Sequence, residues 1–140
     1  LTKQDIASVH KEKPSYLFSH DNQRMQVDIG RADLDNGFGW DGTDDAQYLS
    51  KLKDALNFTS NNFLPDIVIY DAGVDVHLND KLGRLNITSD GIIARDQLIL
   101  AFFQKRNIPV ATVIGGGYSI DRTELINRHM LVFETVAQLY

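Results

Sequence analysis

Two short runs of branched apolar residues constrain this chain more than anything else in it. DIVIYDAG runs from Asp66 to Gly73 and VATVI from Val110 to Ile114. Each is opened by a proline, Pro65 or Pro109, and closed by glycine, and each is too short and too uniformly apolar for an amphipathic helix. Runs of this kind read as strands buried on both faces. A helix-length segment separates them and another follows the second. Strand, helix, strand, helix is the order of a βαβ crossover, whose two strands lie parallel in one sheet with helices packed on it. The expectation is an α/β fold with a mainly parallel sheet.

The helices carry their own signals. Asp44 with Gln47 three residues on is a capping box. It opens a helix whose apolar face is Tyr48, Leu49, Leu52, Ala55 and Leu56. Thr88 or Ser89 caps a second helix running to about Arg106, with Ile92, Ile93, Leu98, Ile99, Phe102 and Phe103 available for burial, and Asn107 ends it. Asp121 with Glu124 reads as another capping box, before a helix carrying Leu125, Val132, Phe133, Val136 and Ala137. Upstream, SYLFSH (Ser15 to His20) and MQVDIG (Met25 to Gly30) are strand-like, and RADLDNGFGWDGTDD reads as a loop. VDVHLNDKLGRLNIT, from Val74, reads as a long polar loop.

With 140 residues, 43% of them hydrophobic, the chain is long enough for one domain with a core, and residues 1–140 are read as one unit. A net charge of −5 without a segment rich in Lys and Arg argues against nucleic-acid binding. With no cysteine there is neither a disulfide framework nor a thiolate metal site. No apolar run reaches membrane-spanning length and no signal peptide is visible, which fits a cytoplasmic protein.

In parallel α/β sheets, ligands bind beyond the carboxyl ends of the strands. Two segments belong there: DAGVDVH after the first strand and GGGYS after the second. The former places Asp71, Asp75, His77 and Asp80 within ten residues. Such oxygen and nitrogen donors suit zinc or another first-row divalent ion, and they equally make a solvated polar loop. In the latter, Tyr118 has a hydroxyl able to donate to a developing oxyanion, or it simply packs at a helix entrance. Gly115, Gly116 and Gly117 allow a sharp turn or close approach of a ligand to the backbone. A phosphate cradle is the weaker reading, because GGGYSID matches neither G-x-G-x-x-G nor a P-loop and lacks the lysine that follows one. His10 and His129 fall on helical stretches as packing or surface residues, and His20 is ambiguous.

PDIVIYDAGVDVHLNDKLGRLNITSDGIIARD followed by IPVATVIGGGY resembles the zinc-dependent histone deacetylase family, which includes acetoin-utilisation-type deacetylases. DKLGRLNIT and the pair Arg95–Asp96 look most like the class IV branch. SYLFSHDN and DGTDDAQYLSKL are similar to an upstream part of the family pattern. The resemblance implies a three-layer α/β/α arginase/deacetylase-type fold. It implies that Asp75, the Asp of the AG-x-D motif, is a zinc ligand, and that Tyr118 polarises the substrate carbonyl. Gly115, Gly116 and Gly117 then turn the backbone beside the bound acyl group, and acetyl-lysine or a small acetylated amine is the substrate. The family's other zinc ligands come from an earlier D-x-H motif, and its paired acid–base histidines lie earlier still. Neither motif is in these 140 residues, and Asp75 with His77 makes only a two-ligand set. The chain is therefore expected to be the C-terminal portion of a deacetylase domain, binding zinc weakly and nearly inactive alone, with uncovered apolar surface that favours self-association. The alternative is a decayed, non-catalytic deacetylase-like module for interaction or structure.

Overall fold

The computed structural model describes residues 42–140 in full and the backbone of two short strands, β1 (Tyr16–Phe18) and β2 (Met25–Val27). These two pair antiparallel, Leu17 opposite Gln26. Both lie inside the strand-like stretches expected there. The loop expected after them, up to Asp41, and His10 and His20 lie outside the described residues.

Helix α1 spans Asp45–Asn62. Its capping box forms as expected: the Asp44 carboxylate accepts from the Gln47 amide at 2.9 Å, and the Gln47 side chain accepts from the Asp44 amide. The helix ends before Pro65, as a residue that cannot continue it requires. Strand β3 (Val68–Asp71) follows. Thr88 caps α2 (Ser89–Gln104), its hydroxyl accepting from the Gly91 amide. The turn after α2 places Asn107 at φ 55°, a left-handed residue of the kind that stops helices. Strand β4 (Val110–Val113) then pairs parallel with β3 in the register Val68 to Val110 through Asp71 to Val113. Asp121 caps α3 (Arg122–Leu139). The crossover inferred from the two apolar runs is present. No helix among the described residues is long and apolar enough to cross a membrane.

The strands are not buried on both faces. Tyr70, with Val68 and Val110 beside it, packs against Leu52 and Leu56 of α1, Ile99 and Phe103 of α2 and Val132 of α3. On the opposite face Ile69 is 75% exposed, and Ala111 and Val113 are also exposed. Among the described residues there are thus two layers, one sheet face under helices and one open. A parallel strand can be uniformly apolar and still show a bare face when nothing covers it.

Three other expectations change. Glu124 does not complete a second capping box; its carboxylate is taken up by Arg128, Asn79 and Ser119. Phe133 and Ala137 of α3 are exposed, because the core lies under Val132 and Thr135. The segment from Val74 is more than a polar loop. Its apolar residues Val74, Val76, Leu85 and Ile87 pack with Tyr48 and Ile92 into a second core. Burying such a side chain contributes roughly 1.5–3 kcal/mol, so this loop is a fixed platform.

Candidate functional site at the carboxyl ends of the strands

The two loops that the topology brings to one sheet end touch along their length. Beyond β3, the chain passes Ala72 and Gly73 and turns through Val74 to Asp75. Beyond β4, it runs through Gly115, Gly116 and Gly117 to Tyr118. The Ala72 amide donates to the Val113 carbonyl at 3.0 Å, so the strands stay paired up to the point where the loops begin.

Two of the three glycines face carboxylates, and Gly117 faces Val74 and Leu125. A Cβ on Gly116 would lie 2.5 Å from the Asp75 carboxylate, and one on Gly115 would collide with the Asp71 carboxylate. Gly116 and Gly117 also take φ of 46° and 109°, where a side chain is strained. Three glycines in a row are needed because the loop turns left-handed while crossing two aspartates. On this side of the loop the missing side chains make room for Asp71 and Asp75. That makes the phosphate cradle untenable, since an anion there would meet two carboxylates.

Asp75 carries the crowded carboxylate of the set. Its backbone platform is buried while its own residue remains exposed. Partial burial first, then the charges of Asp80 and Asp71, push its carboxyl above the usual value, against the opposing pull of a backbone hydrogen bond and Arg95. Removing that charge should stabilise the metal-free chain. Asp75→Asn is expected to raise stability at neutral pH slightly, by about 0.5 kcal/mol or less, the scale of an exposed substitution, and with it the thermal midpoint. A lower midpoint in calorimetry would show that the carboxylate is comfortable where it is.

The other side chains of the acidic segment have structural partners. His77 is 6% exposed. Its Nδ1 accepts from the Asn79 amide at 3.1 Å, and its Nε2 lies 3.3 Å from the Ser89 hydroxyl. Both ring nitrogens are engaged, and burial, then the charge of Arg128, holds the imidazole below its ordinary pKa. Asp80 Oδ1 accepts from the amides of Leu82 (2.9 Å) and Gly83 (2.7 Å), and its Oδ2 accepts from the Tyr118 amide at 2.6 Å. The Tyr118 side chain is 53% exposed beyond this contact. His129 on α3 is half-buried, and burial lowers its pKa.

A buried ionic network, not assigned a role from sequence, lies beneath the Asp75 loop. Arg95 of α2, 3% exposed, donates from Nη1 to the Gly73 carbonyl at 2.7 Å, from Nη2 to Ala72 at 3.4 Å and from Nε to Asp96 at 2.8 Å. Asp96, wholly buried, also accepts from the Tyr70 hydroxyl, while its Oδ2 has no partner. Burial, opposed by Arg95 and reinforced by Asp96, holds the Tyr70 phenol well above its ordinary value, so it remains a donor. A visible signal existed: Arg95 and Asp96 share the face of Ile92 and Ile99, where helical periodicity calls for apolar residues.

A divalent cation would relieve the crowding of Asp71, Asp75 and Asp80. Yet among the described residues no three His, Cys, Asp or Glu side chains are grouped to hold one. A catalytic zinc site takes three protein ligands. The described residues therefore do not amount to a complete zinc site, and Asp75 stands as a single candidate donor.

Comparison with known proteins agrees with the motif pattern. The histone deacetylase domain family model matches residues 4–132. An uncharacterized protein of the cyanobacterium Picosynechococcus sp. is 41% identical over 110 residues, covering 79% of this chain and 36% of that protein. Histone deacetylase 2 of Arabidopsis thaliana is 46% identical over 77 residues, 55% of this chain and 20% of the relative. Histone deacetylase clr6 of Schizosaccharomyces pombe is 32% identical over 80 residues, 57% of this chain and 19% of the relative. The chain thus spans between about a third and a fifth of the length of these curated relatives.

Proposed function

Because the chain belongs to the histone deacetylase family, we propose that it supplies the Asp75 and Tyr118 side of a zinc-dependent deacetylase site, acting on acetyl-lysine or a small acetylated amine. The observation that carries this reading is the meeting of the two loops: Asp75 against Gly116, and Tyr118 held by Asp80, at the shared carboxyl end of β3 and β4. The family is generally zinc-dependent. In this reading the metal is held by Asp75 together with donors outside the described residues, and the chain is the C-terminal portion of a three-layer domain. Its short coverage of the curated relatives and the bare face of its sheet support that portion. DKLGRLNIT and Arg95–Asp96 favour the class IV or acetoin-utilisation branch.

Tyr118 is the chain's own contribution to the chemistry. Its exposed hydroxyl donates to the oxygen of the amide carbonyl as that oxygen gains charge, an interaction stronger in the transition state than in the bound substrate. Arg95 and Asp80 hold the loops on which Asp75 and Tyr118 sit. The uncovered face around Ile69 and Val113 favours self-association of the isolated chain.

A second reading has an observation in its favour: without three grouped donors among the described residues, the segment is a non-catalytic deacetylase-like module. One pair of assays separates the two. The 140-residue chain alone, supplied with zinc, is expected to release little or no acetate from an acetyl-lysine peptide, and robust chelator-sensitive release would refute its incompleteness. The longest natural product of the gene should show chelator-sensitive release that Asp75→Ala abolishes. If that product hydrolyses no acetylated amine, the non-catalytic reading prevails.

A further inference from the structure

The loop bearing Tyr118 should be loose by its composition. It contains two consecutive left-handed glycines, and the tyrosine ring is too exposed to anchor it. It is nevertheless tied at one residue through both of its backbone groups. The Tyr118 N–H donates to Asp80 Oδ2 at 2.6 Å, and the Tyr118 carbonyl accepts from the Lys81 amide at 3.3 Å. A hydrogen bond to a carboxylate is shorter and about twice as strong as a neutral one. Asp80 is itself immobilised. Its Oδ1 takes the Leu82 and Gly83 amides, and its own amide donates to the His77 carbonyl at 2.8 Å. One carboxylate therefore closes the turn from Asp80 to Gly83 with one oxygen and grips the Tyr118 amide with the other. A second stitch lies beside it, where Glu124 accepts from Asn79 Nδ2 at 3.3 Å and from the Ser119 hydroxyl at 3.2 Å.

We propose that Asp80 is the positioning residue for Tyr118: its carboxylate fixes the Tyr118 peptide against the Asp75 loop, and so sets where the hydroxyl is presented. The inference rests on the assignment of Tyr118 as oxyanion donor for its catalytic meaning, while the clamp itself is testable without any turnover. Because Asp75 and Asp80 lie on two successive turns that meet at His77, the clamp makes the distance between candidate metal ligand and candidate donor a property of a single short segment. Positioning of this kind matters because a misplacement of about 1 Å costs about 100-fold in rate.

The substitution that reads this out is Asp80→Asn. Asparagine keeps shape and volume but replaces one acceptor oxygen with an NH2 group. Either the Tyr118 amide or the amides of Leu82 and Gly83 must then face a donor. Amide hydrogen exchange and NMR of the whole 140-residue chain report the outcome residue by residue. In the unaltered chain the Tyr118 amide should be protected and shifted to low field, and the Tyr118 side chain should hold one χ1 rotamer. In Asp80→Asn, exchange at Tyr118 should quicken by about 10- to 100-fold, with averaging of its χ1, while amides in α1 and the middle of α2 keep their protection. Tyr118→Phe should leave Tyr118 amide protection unchanged, since the clamp holds the backbone. An unprotected Tyr118 amide in the unaltered chain overturns the proposal whether or not the variant folds. So does Asp80→Asn that leaves Tyr118, Leu82 and Gly83 all protected, or that loosens α2 as much as the loop. Should the clamp hold while the longest gene product proves unable to deacetylate, the positioning stands and the oxyanion assignment falls.

Discussion

Arg95→Met should destabilise the chain by about 3–5 kcal/mol, the usual cost of removing one partner from a buried ion pair. Arg95 is 3% exposed and Asp96 wholly buried, so methionine would fill the volume and leave a carboxylate without its charge partner. The same change orphans the Gly73 carbonyl, which Arg95 Nη1 now satisfies at 2.7 Å. Unfolding in urea, followed by far-ultraviolet circular dichroism, measures the loss. The double substitution Arg95→Met with Asp96→Leu should recover part of it, because no lone charge remains, although the Tyr70 hydroxyl then loses its acceptor. A single variant within about 1 kcal/mol of the parent would mean that the network is not what holds the Asp75 loop.

Tyr118→Phe carries the largest expected effect on activity, in whichever form of the protein proves able to turn over. Phenylalanine keeps the ring and removes only the hydroxyl. The ring is half-exposed and the anchoring bonds are to the Tyr118 backbone, so folding should be unaffected. If the hydroxyl meets the oxyanion, kcat should drop by about 100- to 1000-fold, with a much smaller change in KM. Asp75→Ala should act differently. It should lower metal occupancy, and excess zinc should restore part of its activity, whereas zinc should do nothing for Tyr118→Phe. Near-parental turnover by Tyr118→Phe would strip Tyr118 of its role and leave the glycine run as a turn whose purpose is to cross Asp71 and Asp75.

Several parts of this architecture were readable in advance because they depend on neighbours in sequence. Caps form within three residues, so Asp44 with Gln47 was visible, while the helix expected to run to about Arg106 ends at Gln104 and Asn107 lies in the turn after it. The βαβ order follows from the two Val/Ile runs and the helix between them. Placing the DAGVDVH and GGGYS segments at one end of the sheet needed only that order and the rule that parallel strands point the same way. Where the reading failed, a distant group had changed the local choice. Glu124 had an ordinary capping position, but Arg128, Asn79 and Ser119 offered its carboxylate better partners. Leu85 and Ile87 stood among polar residues, and only the approach of Tyr48 and Ile92 made a core of them.

By itself, then, the order of residues determined the family, the crossover, and which residues end up at the carboxyl edge of the sheet, because each of these rests on motif, periodicity or chain direction. Tertiary structure alone decided what those residues touch. Asp80 grips a peptide 38 residues away, Arg95 holds the carbonyl of Gly73, and the glycines give way to Asp71 and Asp75. The physical reason is that a hydrogen bond or a steric conflict is settled at about 3 Å, a separation that no spacing along the chain encodes once a crossover has folded two loops together.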